Sequence, residues 1–142
     1  MANRILTAEK WQTRIRDKMG VDDTYLPNSA IEQSDIIDVA ELNIISLFPT
    51  YEDFEGDNLV YLESITILEC CILLSPSMSA RLPKKQSGPH EGHELWVNWD
   101  NKKAEFINER NSLIGRLEDL LNPVNGIDSF KSFTVTYPIR TW

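Results

Sequence analysis

The sequence predicts a mainly α-helical protein: a four-helix bundle with a short β-strand or hairpin before its last helix and an extended C-terminal arm. Three observations predict this fold. Apolar residues recur at intervals of three and four along four segments, which is the period of an amphipathic helix. Prolines and glycines separate these segments. After the fourth segment, apolar and polar residues alternate one by one, which is the period of a strand.

Length and composition favour one domain that needs no disulfide to be stable. The 142 residues carry a net charge of −8, which lacks the basic surplus of proteins that read DNA. Cys70 and Cys71 are neighbours in an apolar segment, where an ordinary disulfide does not fit, so we predict reduced core thiols. The start of the chain lacks the apolar block of a signal peptide, and the apolar stretch 59–74 is shorter than the roughly 20 residues of a bilayer span. We expect a protein that stays in the cell that makes it and does not enter a membrane.

The first two predicted helices have recognisable ends. The first begins at Thr7, a suitable N-cap, and stops at Gly20. The second opens with a capping box of Ser29 and Glu32 and is closed by Pro49. The apolar stripes are Ala8, Trp11, Ile15 and Met19 in the first helix, and Ile37, Ala40, Ile44 and Leu47 in the second.

The third predicted helix covers residues 58–74, with Asp57 as its cap. Apolar residues surround most of its circumference, so we expect it at the centre of the bundle. Beyond it, Ser75 and Pro76 predict either a kink or the start of a short further turn that ends at Leu82.

An excursion, residues 83–99, separates the third helix from the fourth. Its first part is rich in turn-forming residues. In residues 94–99, Leu95, Val97 and Trp99 alternate with other residues, which predicts one strand of a hairpin beside a loop.

The fourth predicted helix begins with Asp100 or Asn101 as its N-cap and runs to Leu121, where Asn122 and Pro123 end it. Its stripe is Phe106, Ile107, Leu113, Ile114, Leu117, Leu120 and Leu121. The chain therefore divides into a helical domain, residues 1–123, and an arm, residues 124–142.

Motifs for catalysis are scarce. His90 and His93, with Glu94, could supply metal ligands, but they follow turn residues that offer no rigid scaffold. We therefore predict no metal site, no cofactor and no catalytic residue. A metal-dependent hydrolase that uses this loop is the least favoured alternative.

The arm carries the clearest binding signal. A chain terminus is normally ordered only where something holds it, and a strand with one apolar face needs a neighbour. The arm either folds back on its own domain or lies on another chain, and we expect it to lie on another protein. Its predicted anchors are Phe130, Phe133, Val135, Tyr137, Ile139 and Trp142.

Four features in a fixed order are similar to one known family. They are residues 6–9 (Leu-Thr-Ala-Glu), residues 35–40 (Asp-Ile-Ile-Asp-Val-Ala), the apolar third helix, and the strand 94–99 followed directly by the fourth helix. Together they resemble the head-to-tail connector, or adaptor, proteins of tailed bacteriophages. The resemblance covers most of the chain as a pattern and includes no catalytic signature.

The resemblance implies a structural protein of the virion neck, made in the bacterial host cytoplasm. Such proteins form a ring, typically of about twelve copies, beneath the portal protein, and present a platform to the next neck or tail-completion protein. The arm would dock on the portal. DNA would pass through an acidic lumen without sequence-specific binding. The loop with Lys84, Lys85, His90 and His93 would contact an adjacent subunit, a neighbouring ring or the DNA. The alternative is a small monomeric helical module that binds one partner through its arm.

Overall fold

The computed structural model describes residues 3–81 and 98–122. Within these two ranges the chain forms helices and no strand, so the mainly helical fold class is confirmed. A π-helical turn, Ser34–Asp38, leads directly into the helix Val39–Leu47, and a short 3₁₀ turn, Tyr51–Asp53, precedes the helix Asp57–Arg81. The α-helices are α1 (Trp11–Met19), α2 (Asn28–Ile31), α3 (Val39–Leu47), α4 (Asp57–Arg81) and α5 (Trp99–Leu121).

Helix α4 is the centre of the fold, as its apolar composition predicts. All eight residues from Ile65 to Ile72 are buried, so the helix is covered on every side at its middle. It contacts α1 and α3, and its longest contact is with α5. By length and hydropathy α4 could also cross a membrane, but 61% of its most apolar window is buried inside the fold, as in the core helix of a globular domain.

The predicted start of the first helix is wrong, and its predicted end is confirmed. The helix begins at Trp11 and not at Thr7, because Lys10 adopts a left-handed conformation with φ of 66° that interrupts helical geometry. Gly20 ends it with φ of 76°, which costs glycine little, and its N–H donates to carbonyls of the last turn.

The predicted capping box of Ser29 and Glu32 is also wrong. Ser29 lies inside the short helix α2, and the helical conformation is interrupted at Gln33, whose backbone is extended with ψ of 146°. In one continuous helix, Ile31 and Ile37 would point about 120° apart, since six residues turn the helix by about 600°. The break allows both side chains to reach the core. The end before Pro49 is as predicted, because α3 stops at Leu47.

Helix α4 continues seven residues beyond the predicted end at residue 74 and contains Pro76 as an interior residue. The hydroxyls on either side of the proline bond to the preceding turn: Ser75 Oγ donates to the Cys71 carbonyl at 2.7 Å, and Ser77 Oγ donates to the Leu74 carbonyl at 3.0 Å. The sequence left a kink or a new turn open, and the structure has one helix that runs through both serines.

Trp99 corrects the prediction for the excursion. The sequence predicts this residue at the end of a strand, but it is the first residue of α5 and is buried. The N-cap is Asn98, whose Oδ1 accepts from Asn101 N–H at 3.1 Å, and not Asp100 or Asn101. The helix ends at Leu121 as predicted. The remainder of the excursion and the whole arm lie outside the described residues.

Candidate functional site

The residues that the sequence singled out for binding lie outside the described part of the chain. This holds for the arm anchors Phe130, Phe133, Val135, Tyr137, Ile139 and Trp142, and for the loop residues Lys84, Lys85, His90 and His93. The described helices nevertheless contain two buried carboxylates, two buried thiols, one exposed apolar helix face and several clefts. The structure gives the burial, the hydrogen-bond partners or the neighbouring residues of each of these features.

Glu41 is a fully buried carboxylate that holds the N-terminal segment on α3. Its Oε1 accepts from Arg4 N–H at 2.9 Å, and its Oε2 accepts from Ile5 N–H at 2.8 Å and Leu6 N–H at 3.0 Å. Successive backbone donors of this kind form an anion-binding concavity. Because both oxygens are hydrogen-bonded within the protein, we assign Glu41 a structural role.

The sequence contained a signal for Glu41 that the prediction did not use. Ile37, Glu41 and Ile44 follow each other at spacings of four and three, so the acid occupies a position on the apolar stripe. A carboxylate in such a position must find buried partners, because a buried charge without partners is costly. The donors could not be identified from sequence, since they belong to an irregular segment 35 to 37 residues away.

Glu69 is the second buried carboxylate and connects three helices. On α4 it accepts from Arg110 Nη1 of α5 at 2.8 Å and from Asn43 Nδ2 of α3 at 2.9 Å. Its side chain is only 7% exposed, so both bonds form away from bulk water. This carboxylate therefore fixes the relative positions of α3, α4 and α5.

The thiols behave as the sequence predicts, as small core residues. Cys70 and Cys71 are free and fully buried. Burial raises the pKa of the Cys70 thiol well above its ordinary value, and the adjacent Cys71 raises it further. Burial also raises the pKa of the Cys71 thiol to about 12. Both remain protonated at neutral pH, so neither has the thiolate that nucleophilic chemistry requires.

Five large apolar residues are exposed in the described part of the chain, and two of them, Val39 and Leu42, lie together on the outer face of α3. Val39 is 37% exposed and Leu42 is 50% exposed, and their spacing of three places them side by side. Asp35 and Asp38, in the π-helical turn, are their neighbours one turn earlier. We call these four residues the α3 face.

An open cleft of about 500 Å³ adjoins the α3 face at Asp38. Its walls include the half-buried indole of Trp11 and the carboxylate of Glu32, whose Oε2 accepts from Gln12 Nε2 at 2.6 Å. Two acids beside an aromatic ring favour a cationic group over an anionic one. Within residues 3–81 and 98–122, no cluster of three histidine, cysteine, aspartate or glutamate side chains could hold a metal ion.

Comparisons of this chain with family models, curated proteins and solved structures return no match.

Proposed function

We propose that this chain is a structural protein of the neck of a tailed bacteriophage, where copies form a ring that docks beneath the portal and connects capsid to tail. The observation that carries the proposal is the α3 face. Most apolar side chains of α1, α4 and α5 pack into one core; α4 and α5 each expose one large apolar residue, Val60 and Leu120, whereas α3 exposes Val39, Leu42 and Leu47. Grouped exposed apolar residues of this kind mark contact surfaces between proteins.

The buried polar groups also favour a structural function over a catalytic one. Glu41 and Glu69 bond to backbone and side-chain donors inside the fold. The two thiols stay protonated. A catalytic acid, base or nucleophile needs access to a substrate, and the hydrogen bonds and burial of these four groups leave them none.

The negative net charge of the chain also supports the proposed ring. A ring built from chains that each carry −8 would have a strongly acidic surface, and an acidic lumen would repel DNA and keep it from adhering during passage. The next neck or tail-completion protein would meet the ring on the side away from the portal.

The finer predictions belong to the same proposal. The helices form a four-helix bundle, residues 83–99 supply a loop and a strand, and Lys84, Lys85, His90 and His93 meet an adjacent subunit or ring. The arm docks on the portal by strand pairing, with aromatic side chains in pockets of the partner. The protein is made in the host cytoplasm and ends in the virion neck.

The test is a pulldown of the full-length chain with the portal protein encoded in the same genome, followed by electron microscopy of the complex. Phe133→Asp/Val135→Asp changes the apolar side of the predicted strand. Ser132→Asp/Thr134→Asp, the matched control, adds the same charge to its polar side.

The proposal predicts a ring on the portal for the wild type and for the control, and no binding for the apolar-side variant. Equal loss in both variants would reject docking by one strand face. One-to-one binding without a ring would favour the monomeric interaction module. Absence of any binding by the wild type would reject the connector function.

A further inference from the structure

The α3 face lacks a cover in the described part of the chain. Val39 and Leu42 are exposed there, although they belong to a helix whose opposite side is fully buried through Ala40 and Ile44. Asp35 is exposed beside them. A surface that is both apolar and acidic selects an occupant with apolar and basic side chains.

Charge is strongly segregated along this chain. Residues 20–80, which include the α3 face, contain twelve aspartates and glutamates and no lysine or arginine. Since the whole chain carries −8, all other residues together carry +4. The nearby cleft adds the carboxylate of Glu32 to this acidic region. No basic residue from the same stretch can neutralise the α3 face.

Residues 124–142, the arm, have the complementary chemistry. Their only charged side chains are Lys131, Arg140 and Asp128, a sum of +1, and each base directly follows an apolar residue. The arm starts just beyond the end of α5, and 19 residues at about 3.3 Å each reach roughly 60 Å when extended. That length exceeds the dimensions of a domain of this size.

We propose that, in the free protein, residues 124–142 lie on the α3 face of their own chain and cover Val39 and Leu42, with Lys131 and Arg140 near the acids. The contact keeps free chains from associating through α3. If the arm docks on the portal as proposed above, portal binding removes this cover and exposes the α3 face to the neighbouring subunit. Only this release step rests on the proposed function.

The test measures the accessibility of one engineered cysteine in the full-length free chain. Ser46→Cys is a nearly isosteric change on the exposed side of α3, one turn beyond Leu42. Thr13→Cys places the same probe on the exposed side of α1 as a reference. The native thiols are buried and protonated, so a maleimide reports the new cysteine.

We expect Ser46→Cys to react at least about tenfold more slowly than Thr13→Cys, the protection given by an arm that is bound more than about 90% of the time. Phe133→Asp/Tyr137→Asp in the arm should abolish this protection. The control Ser132→Asp/Thr136→Asp should retain most of it. Added salt should weaken the protection, because part of the contact is electrostatic.

Two results would overturn the proposal. One is a Ser46→Cys rate that equals the reference and does not respond to the arm variants. The other is protection that increases with protein concentration, which would identify a second copy as the occupant. These measurements use the free chain and do not depend on the portal pulldown. If no ring forms on the portal but Ser46→Cys is still protected, the connector function is rejected and the position of the arm on the α3 face is retained.

Discussion

Replacement of Glu41 by alanine should be among the most destabilising single changes in the described residues. The change removes the acceptor for three backbone donors, at 2.9, 2.8 and 3.0 Å. Each buried donor left without a partner costs about 1 to 3 kcal/mol. Recovery of the desolvation energy of the carboxylate offsets part of this loss.

The N-terminal segment sets an upper limit to the effect. Instead of keeping unpaired donors buried, residues 3–6 could detach and hydrate them. Detachment would expose Ile5 and Leu6, which are 4% and 1% exposed, at about 1.5 to 3 kcal/mol each. Detachment therefore limits the loss in the free energy of unfolding to about 3 to 6 kcal/mol.

Urea denaturation at constant pH measures this loss, and amide hydrogen exchange shows which route the protein takes. Glu41→Gln should lower the free energy of unfolding by about 1 to 3 kcal/mol. The amide oxygen of glutamine still accepts a hydrogen bond, but its NH₂ group cannot accept from the backbone donor that it faces. Glu32→Ala is the control, since that carboxylate is exposed and should change stability by under about 0.5 kcal/mol. A loss below about 1 kcal/mol for Glu41→Ala, with unchanged exchange at Ile5 and Leu6, would refute the role assigned to this carboxylate.

Three further predictions concern the core. Leu68→Ala should lower the free energy of unfolding by about 2 to 5 kcal/mol, because Leu68 is 1% exposed on the central helix. The control Leu120→Ala, at an exposed site of α5, should lower it by under about 1 kcal/mol. Equal losses in denaturant melts would contradict the central position of α4. Arg110→Ala should lower the free energy of unfolding by about 1 to 3 kcal/mol, because it leaves the buried charge of Glu69 with one partner. Adding Glu69→Gln should restore part of this loss, since the amide is neutral. A double variant that is less stable than Arg110→Ala alone would argue against this reasoning. Stability should fall as pH rises from about 9 to about 12, because the unfolded chain loses the thiol protons first, and Cys71 should contribute about 1.4 kcal/mol per pH unit. In melts at stepped pH, Cys71→Ala should make this slope shallower by that amount and leave the contribution of Cys70 in place, whereas an identical slope in both proteins would show that the Cys71 thiol contributes nothing.

The strongest local signals in the sequence agree with the structure. Gly20 and Pro49 end helices by their own backbone restrictions, which require no tertiary contact. The all-round apolarity of the third helix predicts its central place, because a helix without a polar side has no side to expose to water. The buried state of Cys70 and Cys71 follows from the same apolar segment.

The helix starts depended on the tertiary structure. Thr7 has the chemistry of an N-cap, yet the backbone before it is held by a carboxylate from α3, and the helix begins only at Trp11. The break at Gln33 arises because Ile31 and Ile37 must both enter one core. Such contacts join residues far apart in sequence, so local propensity does not register them.

The sequence by itself determined that this protein is mainly helical, that its third helix is the core, and that its charge is acidic. Periodicity predicted the buried side of the second helix in part, since Ile37, Ala40 and Ile44 of its predicted stripe are buried, whereas Leu47 is 52% exposed. Only the tertiary structure decided that Glu41 belongs to this buried side. Packing buries Ala40, Glu41 and Ile44 and leaves Val39 and Leu42 outside, because Glu41 finds its three donors on the inner side.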